Sequence, residues 1–226
     1  MSDQRSMLLR LGAMAGALAL VMLATDRGGD VLRGWLLLER GAVLGGEVWR
    51  LATAHLVNLS TVHTLLNNLG LGLILISLWS VLTPAMLARA VVFSGGAISL
   101  GWVLLMPEGV TYVGFSGITH GVMGFGGLVM LRVGPRWFGW LILVCLAAKL
   151  GQEFFNGAVP GADAAIGGRV SFISHTLGTF GGALAAREGP LWHRMAVMAV
   201  CVVLSLIHAE REAADLPMAE RARADG

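Results

Sequence analysis

Runs of about 20 apolar residues recur along this chain, and no other feature limits its fold as tightly, because a helix needs about that many residues to cross the hydrocarbon core of a bilayer. Such runs occupy 7–25, 63–82, 85–106, 116–133, 137–155 and 171–186. A seventh, 191–208, has a shorter apolar centre, with His193 and Arg194 near its start. The expected fold is all-α: a polytopic transmembrane helical bundle of six core helices with a possible seventh at the C-terminal end. The first run could also be read as a signal peptide, since Arg5 and Arg10 precede or enter it. Its length and the spans that follow favour a retained helix.

Composition agrees. Only 13% of the 226 residues are charged, where a soluble domain carries about 25%. The net charge of +2 is too small to argue for a nucleic-acid partner. Cys145 and Cys201 both lie inside apolar runs, so neither a disulfide framework nor a metal-type cysteine spacing is expected. The 32 glycines have no collagen-like period and read as close helix packing in lipid.

Arginines set the orientation. Arg5, Arg10, Arg89, Arg132, Arg136, Arg187 and Arg194 fall at the N-terminus or around alternate connections, which carry few acids. The positive-inside rule puts those ends in the cytoplasm. The 26–62, 107–115 and 156–170 loops then lie outside. No internal domain boundary is visible. One membrane domain over 1–209 and a polar, disordered tail over 210–226 are expected.

Spans two, four and six share one direction, and each begins at the outer leaflet. Span two opens with His63, and Asn67 follows at i+4. Span four opens with Ser116, and His120 follows at i+4. Span six carries His175 about one turn in. Ionisable residues within a membrane are functional candidates by default. Gly117, Gly121 and Gly124 along span four, with Gly178 and Gly182 along span six, let two backbones approach closely. Ser116 Oγ and a His175 nitrogen could then form the minimal activated nucleophile.

Four motifs, in order, resemble the rhomboid family of intramembrane serine proteases. Gly114-Phe115-Ser116-Gly117 matches its GxSG motif. His175, followed by Gly178 and Gly182, matches its histidine and glycine pair. His63-Thr64-Leu65-Leu66-Asn67 matches HxxxN, and Trp49-Arg50 matches the WR pair of the first outer loop. The resemblance implies Ser116 as nucleophile and His175 as general base, a dyad with no acid as third member. It also implies an oxyanion site made by His63, Asn67 and the Ser116 backbone N–H, with Gly114 and Gly117 beside it. His120 departs from the tyrosine that many rhomboids carry one turn after the serine. The Gly-Phe-Ser-Gly-x-x-His-Gly string and compact chain resemble the rhombosortase branch, associated with clipping a C-terminal glycine-glycine sorting anchor.

Several readings stay open beside this one. His120 reads as a ring packed beside the base, or as the base itself. Lys149 and Glu153 read as a local ion pair, or as a wall of the substrate entrance on span five. His55 reads as a loop residue. His55, His63, His120 and His175 lie toward one face, but fit no zinc motif, so no metal and no cofactor are expected. The expected partners are the bilayer and a protein substrate with a transmembrane or C-terminal anchor. The implied location is a bacterial inner membrane, with the site toward the periplasmic face. The alternatives are a catalytically inactive rhomboid-like protein that binds transmembrane segments, and a small transporter. The transporter reading lacks a repeat.

Overall fold

A computed structural model describes residues 2–215. Its helices, in chain order, are α1 Ser2–Arg27, α2 Gly29–Leu36, α3 Arg40–Leu44, α4 Arg50–Thr53, α5 Thr61–Leu78, α6 Pro84–Leu105, α7 Ser116–Val133, α8 Arg136–Asn156, α9 Ala162–Ile166, α10 Phe172–Ala185 and α11 Leu191–Asp215. Two short strands, β1 Leu38–Glu39 and β2 Thr111–Tyr112, pair antiparallel with Leu38 opposite Tyr112. The molecule is the all-α polytopic bundle expected. The expected tail at 210–226 begins within α11, and its residues from 216 on lie outside the described residues.

Helix starts follow local chemistry. Ser60 caps α5 by accepting from the His63 N–H at 3.2 Å, and Ser171 caps α10 by accepting from the Ser174 N–H at 3.3 Å. Thr83 caps α6, with Pro84 in the first turn, where its missing N–H costs nothing. At the other end, Arg194 donates to the carbonyls of Ala183 and Leu184 in the last turn of α10.

Among the described residues, five helices have the length and composition to cross a membrane: α1, α5, α6, α8 and α11. The possible seventh span is among them. The two that fall short are α7 and α10, and both are buried at the centre. α10 has 14 residues, roughly 21 Å at 1.5 Å per residue. Helices surrounded by protein need not match the bilayer's thickness or polarity, which is why this pair can hold serine, histidine and threonine. The outer helices instead expose large apolar side chains: Leu20 68%, Ile76 71%, Val92 68%, Leu104 66% and Trp137 69%. Apolar surface on that scale suits lipid and not water.

The central pair is held by backbone proximity. A Cβ on Gly178 would land on the Gly117 carbonyl, and one on Gly182 would land on the Gly121 carbonyl. α10 packs most extensively against α7 and α6. The dispersion contacts that replace side chains here are the small-residue packing that membrane helices rely on.

The segment between α1 and α5 is fastened by Trp49 and Arg50. Arg50 is buried and donates to Glu47 at 2.6 Å and to the carbonyls of Gly34 and Leu37 at 2.8 and 2.7 Å. Trp49 Nε1 donates to the Trp35 carbonyl. His55 departs from the loop residue expected: it is buried, its Nε2 lies 2.9 Å from Ser99 Oγ on α6, and its ring meets Tyr112 edge-on at 5.5 Å. It pins the segment between α1 and α5 to the bundle.

Burial lowers the His55 pKa from 6.5 to about 4. Between those values the unfolded chain binds a proton that the fold refuses, so stability falls as pH drops through that window and is flat above it. The unfolding midpoint in detergent should therefore decline from pH 6.5 to 4, and His55→Gln should flatten the decline. An unchanged slope in that variant would show that other groups dominate.

Candidate active site

Three parallel helices and one antiparallel helix deliver their ends to one place. α5, α7 and α10 begin there, while α8 runs the other way and finishes there. His63 sits in the first turn of α5, Ser116 at the first position of α7, His175 in the first turn of α10, and Glu153 in the last turn of α8.

Ser116 Oγ lies 3.0 Å from His175 Nε2. That separation falls within the range for a nucleophile and its base. The other ring nitrogen, Nδ1, lies 2.8 Å from Glu153 Oε2. A carboxylate only accepts, so Nδ1 carries the proton and Nε2 presents its lone pair to the serine hydroxyl. The resemblance implied a pair without an acid, and the structure places an acid in contact with this histidine. Glu153 is 2% exposed and stands where a third member would stand. Its second oxygen, Oε1, meets Lys149 Nζ at 2.8 Å. The local ion pair expected for these two residues therefore exists, but it is half of a longer chain.

His120 stacks on His175 with ring centres 3.9 Å apart and planes 12° from parallel. Its Nδ1 donates to the Ser116 carbonyl at 2.8 Å, one turn back along α7. The ring thus faces the serine's backbone rather than its hydroxyl. The ring is packed beside His175, as the first of the two readings has it.

The expected oxyanion residues surround the loop before α7. Gly114 has φ +121°, which side-chain-bearing residues rarely adopt, and a Cβ there would lie 3.0 Å from His63 Cε1. Tyr112 Oη donates to the Gly114 carbonyl at 2.6 Å, and the Gly114 N–H donates to the Ala54 carbonyl at 3.0 Å. The Leu59 N–H donates to His63 Nδ1 at 3.3 Å. That bond places the His63 proton on Nε2, the nitrogen nearer the loop, so His63 is a donor toward the site. Asn67 Nδ2 donates to Asn58 Oδ1 at 2.5 Å, which orients its amide and leaves a second N–H. Ser116 opens α7, and Phe115 supplies no side-chain cap. The first N–H groups of the helix are thus unpaired within it, and the helix dipole favours negative charge there.

A cavity of about 320 Å³ opens over these groups, lined by Ser116, His175, His63, Asn67, Lys149 and Arg169 among others. Ser116 is half-buried, while His63, Asn67 and His175 are buried. Sequence reasoning missed Asn58 here, and it missed the contact of Glu153 with His175. Asn58 sits in a loop without periodicity, and nothing marked it. Glu153 carried a usable signal, an acid in the last turn of an apolar helix, but it was read toward Lys149 alone.

A cation would find poor ligands. Ligand atoms of His120, Glu153 and His175 lie within 4.8 Å of one another. The two rings are stacked, so their in-plane lone pairs run side by side instead of converging. Both His175 nitrogens are already engaged.

A helical bundle with lipid-facing walls, enclosing a serine and a histidine at one end of its central helices, has the architecture of an integral membrane protein. The rhomboid domain model matches residues 45–187, and the chain belongs to the rhomboid family, whose members are generally intramembrane serine proteases acting on transmembrane substrates. No curated protein and no solved structure matches the chain.

Proposed function

We propose that this protein is an active intramembrane serine protease that cuts one peptide bond in or near the membrane anchor of a tethered protein. The reading rests above all on the 3.0 Å contact between Ser116 Oγ and His175 Nε2. The donors beside it, His63, Asn67 and the Ser116 N–H, support it.

In the proposed reaction a substrate helix enters from the lipid and unwinds at its outer end. As Ser116 Oγ attacks the exposed carbonyl, its O–H bond breaks and the proton passes to His175 Nε2. The carbonyl oxygen becomes an oxyanion held by His63 Nε2–H, the Asn67 amide and the Ser116 N–H. Preorganised donors act strongly where water is scarce. His175 then protonates the leaving amine, and water resolves the acyl-enzyme by the same route in reverse. His63→Ala or Asn67→Ala should each slow the reaction by about 10²–10³.

The finer assignment is to the rhombosortase branch, with a C-terminal glycine-glycine sorting anchor as substrate. Glycine disfavours helix by about 1 kcal/mol per residue, so such an anchor unwinds readily. The placement is a bacterial inner membrane with the site at the periplasmic face.

The test uses protein reconstituted in vesicles with a fluorescent reporter on a transmembrane anchor. The expected result is cleavage near a Gly-Gly pair and slow cleavage when that pair is replaced by Leu-Leu. Binding of the anchor without any cleavage would mean an inactive rhomboid-like protein. Equal cleavage of both anchors would remove the glycine-glycine assignment alone.

A further inference from the structure

We propose that Glu153 is a positioning residue of this site, the third member of a Ser116–His175–Glu153 chain, with Lys149 holding the far oxygen of its carboxylate. The inference rests on the protease reading above and adds to it.

A glutamate in an apolar helix has a simpler role open to it, pairing with the lysine one turn away. Such i,i+4 pairs contribute little at a surface. If that were all, the carboxylate could stay with the lysine at the edge of the cavity. Instead the Glu153 side chain is 1% exposed while that of Lys149 is 42% exposed. The carboxylate has left solvent to reach an imidazole on another helix. Burying a carboxylate is costly unless each oxygen finds a partner, and here the partners are His175 Nδ1 at 2.8 Å and Lys149 Nζ at 2.8 Å.

The consequence is chemical. A neutral imidazole with no acceptor at Nδ1 can hold its proton on either nitrogen. With the proton on Nε2 it has no lone pair for the Ser116 hydroxyl. Glu153 keeps the proton on Nδ1 throughout. When Nε2 takes the serine proton, the ring becomes a cation between buried groups, and the carboxylate balances it. Glu153 itself is never protonated, as in other serine hydrolase triads. His120 steadies the opposite surface, stacked face to face on the same ring. The acid arrives on α8, while the nucleophile and base arrive on α7 and α10, so the packing of α8 controls the base.

The experiment measures the rate at which a fluorophosphonate labels Ser116, together with kcat and KM on the anchored reporter, in detergent. Glu153→Gln keeps the size of the side chain and can present the wrong group to Nδ1. It should lower labelling and kcat by about 10²–10⁴ with little change in KM. Glu153→Ala should lose as much, and formate in the medium should restore labelling at least about ten-fold, where chloride does not. Lys149→Met should cost about five-fold or less. Wild-type labelling rates in both Glu153 variants would overturn the proposal and leave the protease reading standing. So would a loss that formate leaves untouched in a Glu153→Ala protein with the wild-type unfolding midpoint. Wild-type protein that takes no label at Ser116 would remove the protease reading, and this inference with it.

Discussion

Ser116→Ala should reduce cleavage of a membrane-anchored reporter by on the order of 10⁶, which is below detection in any practical assay. The size of the effect follows from what the residue does. Without Oγ there is no covalent intermediate, and only positioning and the oxyanion donors remain; in a soluble serine protease they retain about 10³–10⁴ over water. The substitution removes one half-buried oxygen and leaves the helix start, the Gly114 turn and the α7–α10 contacts in place. The variant should thus keep the wild-type unfolding midpoint and still bind the reporter. Retained cleavage in Ser116→Ala would exclude this serine as nucleophile.

His175→Ala should be nearly as severe, about 10⁴ or more, because the nucleophile then has no base in reach. Losses within one catalytic unit do not add. The double variant Ser116→Ala/His175→Ala should be no slower than Ser116→Ala alone. His120→Ala is the informative contrast. Its Nδ1 is committed to the Ser116 carbonyl, and its ring supports His175 by stacking. Removing it should cost about ten-fold, within what one aromatic pair contributes. A dead His120→Ala beside an active His175→Ala, measured on the same reporter, would reverse the assignment of the base.

Much of this architecture could be read from the chain. Apolar runs gave the number and order of long helices within a few residues, because the bilayer imposes a length that apolar composition records. Alternating direction then put His63, Ser116 and His175 at one end before any distance was known. What could not be read were relations between helices that run in opposite directions. Lys149 sits one turn from Glu153 and is the obvious partner in sequence, whereas His175 is 22 residues further on. Only the packing of α8 beside α10 brings them together. The central helices α7 and α10 fall almost where their apolar runs put them, but their surroundings were not legible. An apolar-run criterion assumes a lipid neighbour, and α7 and α10 have protein neighbours instead. Asn58 and His55 were out of reach for a different reason. Both lie between α1 and α5, where burial depends on tertiary contacts such as Asn67 and Ser99 rather than on any local period.

The two-helix contact also explains why the glycines lie where they do. Gly117 and Gly121 on α7 face Gly178 and Gly182 on α10, so the backbones meet directly below the site. Their closeness sets the distance between the hydroxyl and the imidazole one turn above.

Peptide mapping after fluorophosphonate treatment of the folded, detergent-purified protein tests the account most directly. A single adduct on the peptide bearing residue 116, lost when His175 is replaced by alanine, is the predicted outcome. An adduct on another residue, or labelling undiminished in His175→Ala, would mean that this hydroxyl and this imidazole do not work together.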